Sequence, residues 1–258
     1  MTMSNGAMIS EFVTLTTDDG AEVDAYYAKP AGEGPFPGVV VIQHIMGVDE
    51  WIMEVCRRFA HHGYAAVAPN LYARIGGIEG SELDELVASL RSKGGLKDET
   101  VLDDLKASID FLRAQGDSSG KVGMIGFCMG GRYTYLAAGK LEGIDAGVDC
   151  WGGQVAPAPD AVNRPAIAAV DFTANITAPI LGLFGNDDSS PNPAEVDRTE
   201  AALKEHGKTY EFHRYDGAGH AFLVWNRTSF RQQQSNDAWD HTWTWFAKYL
   251  APVAVGAR

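Results

Sequence analysis

The chain has 258 residues, 45% of them hydrophobic and 29 of them glycine, a globular composition with enough length to bury one large core. With 21 basic against 34 acidic side chains its formal charge is −13, a field that repels phosphate backbones and anionic lipid and so disfavours nucleic-acid and membrane-surface roles. The three cysteines, Cys56, Cys128 and Cys150, form no C-x-x-C redox or zinc spacing and describe no disulfide framework, which suits a reducing compartment.

The first ten residues lack the charged and apolar regions of a signal peptide, and no run approaches the ~18 apolar residues of a membrane span, so a soluble cytoplasmic protein is expected. A hairpin-like stretch follows (residues 11–15, then 21–28). Beyond it, short apolar runs alternate with amphipathic segments. The runs cover residues 38–43 (GVVVIQ), 64–68, 121–126, 146–150 and 179–184, and a last strand is read at 209–215. Continuous apolar strands of this kind belong to a parallel sheet covered on both faces.

Between them, Ile52, Val55, Cys56, Phe59 and Ala60 share one helical face, as do Leu102, Leu105, Ile109 and Leu112. A further helix starts at Pro193, with Asn192 as N-cap, Glu195 completing a capping-box-like pair and Gly207 after its end. The last helix carries Trp239, Trp243, Phe246 and Leu250 on one stripe, read as packing. The whole chain is expected to form one α/β domain, an open and mostly parallel sheet with helices on both faces. In such sheets ligands bind beyond the carboxyl ends of the strands.

Gly126-Phe127-Cys128-Met129-Gly130-Gly131 lies directly between a strand and a helical stretch. A turn of form G-x-nucleophile-x-G is a nucleophile elbow, and a cysteine there sits at a helix N-terminus that favours thiolate. A buried structural cysteine is the plain alternative. A dinucleotide-binding loop is disfavoured because Cys128 stands where the second glycine of G-x-G-x-x-G belongs. The order nucleophile, acid, histidine then points downstream. The strand at 179–184 ends in Gly185-Asn186-Asp187-Asp188, where Asp187 is taken as the acid and Asp188 as a turn or cap residue. His220, in the glycine-lined loop after the last strand, is the base. His61 and His62 are adjacent and cannot form an i,i+4 metal pair, while His206, His213 and His241 read as solvated or packing positions. Oxyanion donors are expected from the backbone N–H groups of Met129 and Ile45.

These residues resemble the dienelactone hydrolase family, the α/β-hydrolases with a cysteine nucleophile. The resemblance runs from about Gly38 to Leu250. It rests on Ala68-Pro69-Asn70-Leu71-Tyr72-Ala73-Arg74, the cysteine elbow with its strand, the turn at 185–191, and Gly219-His220-Ala221-Phe222. It implies a Cys128-His220-Asp187 triad, no metal or cofactor, and hydrolysis of the lactone ring of carboxymethylenebutenolides. By position, Arg74 would bind a substrate carboxylate, with a surface salt bridge as its alternative, and Tyr72 would support the pocket wall. Trp151, just after the strand at 146–150, joins His44 among the substrate-binding candidates.

Three departures bear on substrate. His44 stands where the family has a glutamate, and its charged form can stabilise a thiolate. Val224 replaces a second carboxylate-binding arginine, for which Arg227 is a candidate substitute. The segment 154–178 is long and rich in Ala and Pro, as rim loops that shape specificity often are. The alternatives to a lactonase are a broader esterase or thioesterase on the same triad, and a non-catalytic thiol sensor or binding protein.

Overall fold

A computed structural model describes residues 7–80, 82–161 and 165–251. Eight strands, β1 (Met8–Thr16), β2 (Glu22–Pro30), β3 (Phe36–Ile42), β4 (Ala65–Pro69), β5 (Ser118–Phe127), β6 (Ala146–Cys150), β7 (Ile180–Gly185) and β8 (Tyr210–Tyr215), form one sheet ordered β1-β2-β4-β3-β5-β6-β7-β8. The N-terminal hairpin pairs antiparallel from Met8↔Pro30 to Thr16↔Glu22, and β2 joins β4 antiparallel. From β4 to β8 every pairing is parallel, so the carboxyl ends of β3, β5, β6, β7 and β8 open on one edge. This is the expected fold, an α/β sheet with helices on both faces.

The helices are α1 (Glu50–His61), α2 (Leu83–Ser92), α3 (Asp98–Ala114), α4 (Met129–Lys140), α5 (Pro193–Glu205) and α6 (Gln232–Leu250). Side-chain alternation along the strands divides the core in two. Val39, Val41, Ile125, Phe127, Leu181 and Leu183 pack toward α1 and α6. Val40, Ile42, Val122, Met124 and Ile180 pack toward α3 and α4, among Leu105, Ile109 and Tyr135. Each such burial stabilises by about 1.5–3 kcal/mol, which is why the strands read as unbroken apolar runs.

The expected face of α1 is buried at every position, Cys56 included, and Asp49 caps its N-terminus by accepting from the Ile52 N–H at 3.0 Å. The tryptophan stripe of α6 is packing: Phe59 lies 5.1 Å from Trp243 and 5.6 Å from Phe246 between ring centroids. At α5, Asn192 caps as expected, its Oδ1 accepting from the Glu195 N–H at 2.9 Å. Glu195 does not close a capping box. Its buried carboxylate turns toward the backbone N–H groups of Gln154, Val155 and Ala156, and burial pushes its pKa up against them. Helix α2 buries only Leu86, and among the described residues no helix is long and apolar enough to cross a membrane.

Candidate active site

At the end of β5 the chain reverses into α4 within one residue. Cys128 holds φ 58° and ψ −117°, a strained backbone state for a residue with a side chain. The flanking glycines make the reversal possible. A Cβ on Gly126 would lie 1.9 Å from the Gly130 carbonyl oxygen, and one on Gly130 would lie 2.5 Å from that of Ile42. The elbow is anchored by the Cys128 N–H, which donates to the Cys150 carbonyl at 3.0 Å, and by its own carbonyl, which accepts from the Gly131 N–H at 2.9 Å. Cys56 and Cys150 are buried, and burial pushes both thiols up, whereas Cys128 is partly open to a cavity.

His220, after β8, contacts Cys128 on one side and Asp188 on the other, its Nδ1 lying 2.8 Å from Asp188 Oδ2. Burial works against a charged imidazole here. The hydrogen bonds and charges of Asp188 and Cys128 override it and push the His220 pKa up to about 10.

The acid beside the histidine is therefore Asp188 and not Asp187. The Asp188 N–H closes a turn onto the Gly185 carbonyl at 3.3 Å, so Asn186 and Asp187 take the corners. Asp187 is exposed, and only its N–H engages the histidine loop, donating to the Ala218 carbonyl. Asp188 returns to the sheet, buried, with its second oxygen accepting from the Ser190 N–H at 2.9 Å. Counting the turn from the strand's last residue would have identified it.

Cys128 and His220 open into a cavity of about 440 Å³ walled mainly by Ile45, Met46, Leu83, Val87, Trp151 and Ala221, with His44, Arg227, Thr228 and Ser229 supplying the polar edge. Leu83 and Val87 come from α2. Trp151 is buried at φ 44°, its ring 6.3 Å from that of His220. Its turn is pinned by Asp149, whose Oδ1 accepts from the Gly152 N–H at 2.7 Å and whose pKa burial raises to about 7. His44 Nε2 sits 3.0 Å from Asp49 Oδ2. Burial would raise the Asp49 pKa, but His44, the Ile52 N–H and the charge of Arg227 hold it below the usual carboxylate range.

The backbone N–H groups of Ile45 and Met129 have no protein acceptor among the described residues. Tyr72 links the two: its hydroxyl donates to the Ile45 carbonyl at 2.9 Å and lies 3.8 Å from Met129 Sδ. It stands behind the loop rather than on the cavity wall.

Arg74 does not reach the cavity. The short turn Ala73–Ile75 directs it to Asp19, Asp103 and Asp104, at 2.7, 2.8 and 2.7 Å. Protein carboxylates therefore occupy its fork. Asp104 is fully buried, and burial raises its pKa to about 6 although Arg74 opposes this. At the cavity the cation is Arg227, while Val224 is buried.

A cysteine elbow and an Asp188–His220 pair at the carboxyl edge of a mostly parallel sheet define an α/β-hydrolase fold. The sequence profile of the dienelactone hydrolase family matches residues 23–250, and the chain belongs to that family of hydrolases. A Methylorubrum extorquens protein provisionally named carboxymethylenebutenolidase is 38% identical over 250 residues, covering 96% of this chain and 84% of its own. An Escherichia coli K12 protein with the same provisional name is 34% identical, covering 94% and 88%. A Klebsiella pneumoniae crystal structure provisionally named a dienelactone hydrolase superposes with a TM-score of 0.85 at 34% identity, covering 94% of this chain and all of the other.

Proposed function

We propose that the protein hydrolyses the ester bond of a lactone, such as a carboxymethylenebutenolide, through an acyl-enzyme on Cys128. The observation that carries the reading is Cys128 on its strained elbow against a His220 that is itself hydrogen bonded to Asp188.

His220 takes or holds the Cys128 proton, and the thiolate sulfur attacks the carbonyl carbon. The oxygen that gains charge is received by the N–H groups of Ile45 and Met129. Collapse breaks the ring C–O bond and leaves a thioester with the enolate still tethered to it. A water, deprotonated by that enolate, or by His220 once it has passed its first proton to the enolate, then displaces the thiolate and yields the ring-opened acid. A thiolate leaves as readily as it attacks, so activated esters and lactones outpace alkyl esters and amides. Asp188 keeps the imidazole's Nδ1 side fixed, and Tyr72 holds the loop that supplies one oxyanion donor.

Relatives named carboxymethylenebutenolidase suggest a carboxylated lactone, and Arg227 is the side chain available to receive that carboxylate. A broader esterase is the second reading, favoured by the engagement of Arg74 elsewhere and the apolar cavity wall.

Intact-mass analysis of protein trapped with an activated ester tests the chemistry. The expected result is one acyl group, mapped to Cys128, and loss of both adduct and turnover in Cys128→Ala. Turnover that persists in Cys128→Ala ends the nucleophile assignment. A panel with no substrate and no adduct favours a binding or sensing thiol instead.

A further inference from the structure

On the far edge strand, remote in sequence from the cysteine elbow, three nitrogen and oxygen donors converge. Glu211 and His213 lie two apart on β8 and so project from the same face. His241 reaches them from α6. His213 Nε2 is 2.6 Å from Glu211 Oε1, and His241 Nδ1 is 3.7 Å from the same oxygen. The two imidazoles stack with centroids 3.5 Å apart. Among the described residues this is the one place where three such donors lie within 4.8 Å of one another.

The second nitrogen of His241 supplies an independent observation. Its Nε2 lies 3.4 Å from Asp237 Oδ2, one helical turn earlier, and that carboxylate accepts from the Tyr215 hydroxyl at 3.0 Å. A proton on Nε2 facing Asp237 leaves the Nδ1 lone pair facing Glu211 and His213. A carboxylate behind the far nitrogen of a ligating histidine fixes its tautomer and raises its basicity. Nothing in the proposed reaction uses any of these groups.

We propose that Glu211, His213 and His241 form a binding site for a divalent transition-metal ion of borderline softness, Zn²⁺ first, oriented by Asp237 and Tyr215. Two imidazoles and one carboxylate suit Zn²⁺ and fit hard, oxygen-seeking Ca²⁺ or Mg²⁺ poorly. Donors about 2.1 Å from a tetrahedral ion stand about 3.4 Å apart, so the Glu211–His213 contact opens slightly while the Glu211–His241 separation already fits. Three protein ligands leave one position for water at the surface. The ion would tie α6 to the edge strand β8, adding a cross-link beside the Tyr215–Asp237 hydrogen bond.

Titration of metal-free full-length protein with Zn²⁺ by calorimetry tests the site. The Cys128→Ala form is used alongside wild type, because a thiol next to His220 is itself a soft ligand. The expected result is one equivalent bound in both forms. Affinity should drop at least about 100-fold in His213→Ala or His241→Ala and about 10–100-fold in Asp237→Ala. Glu211→Gln, at a half-exposed side chain, provides a second ligand variant with little demand on folding, and circular dichroism checks each protein. Co²⁺ should give a visible spectrum of nitrogen and oxygen ligation in Cys128→Ala. Absence of Zn²⁺ binding, or one-equivalent binding that survives both His213→Ala and Glu211→Gln, overturns the proposal.

Discussion

The cysteine elbow and the arginine-bearing segment near Tyr72 are equally motif-like in sequence, yet only the elbow places its side chain at the cavity. The difference lies in what fixes each side chain. Cys128 is placed by backbone: a strand end, a helix start and two glycines whose Cβ atoms would strike carbonyl oxygens leave one conformation. Arg74 is placed by partners, and three carboxylates from two other elements outbid a substrate for its long side chain. Backbone-imposed geometry transfers between relatives with the local sequence. Geometry imposed by long side chains transfers only if the surroundings do.

The largest expected effect tests the backbone-fixed side of that contrast. Asp188→Asn should lower kcat/KM on the order of 10³-fold, while Asp187→Asn should leave it within about twofold, as expected of an exposed corner residue. The two must be assayed together, since a reversed order would return the acid to Asp187. The same pair gives a pH signature. His220 is raised from 6.5 to about 10, so the stability it contributes is fully present below pH 6.5 and is lost as pH rises through about 10. In Asp188→Asn that loss should occur at lower pH, visible as a Tm that declines earlier across the alkaline range, whereas Asp187→Asn should follow wild type.

The partner-fixed side gives a smaller and differently shaped effect. Arg74→Gln leaves Asp104 buried without its cation and should cost about 3 kcal/mol near neutral pH with little change in kcat/KM. Loss of the arginine raises the folded pKa of Asp104 further above its ordinary value. The deficit relative to wild type should therefore grow as pH rises through about 6, where Asp104 ionises in the wild-type fold, and shrink in acid, where the carboxyl is protonated in both proteins. Arg227→Glu should instead raise KM about tenfold for a carboxylated lactone and spare a neutral aryl ester. If Arg74→Gln gives the KM effect and Arg227→Glu does not, the carboxylate partner has been assigned to the wrong arginine.

The same contrast separates what is legible in the sequence from what is not. Apolar strand runs, the buried stripe of α1 and the Asn192 cap with Pro193 at the start of α5 are local statements, and they hold. Cys128 and His220 are legible because glycines and strand ends mark them. The G-x-D spacing points one position short of Asp188, because spacing does not register which corner of the turn faces solvent. Glu195 turns toward distant N–H groups instead of its own helix end, and α2, with one buried residue, carries too little apolar pattern to be seen. The Glu211–His213–His241 cluster joins an edge strand to a helix 28 positions later, a proximity that no local period encodes.

His44 falls between the two regimes, and its replacement should have the smallest effect. Its loop is placed by the backbone, held by the Tyr72 hydroxyl at the next residue, but its ring is engaged by Asp49 at 3.0 Å. Any positive charge on the ring is then offset by that carboxylate, and Arg227 shares the carboxylate's field. His44→Ala should accordingly slow iodoacetamide alkylation of Cys128 by less than about threefold, far less than Asp188→Asn. Asp49→Asn keeps an N-cap for α1 while removing the offsetting charge, so it should speed alkylation and lower KM for a carboxylated substrate. Alkylation slowed as much by His44→Ala as by Asp188→Asn would show that His44 acts on the thiol directly, and the pairing with Asp49 would then not be what sets its role.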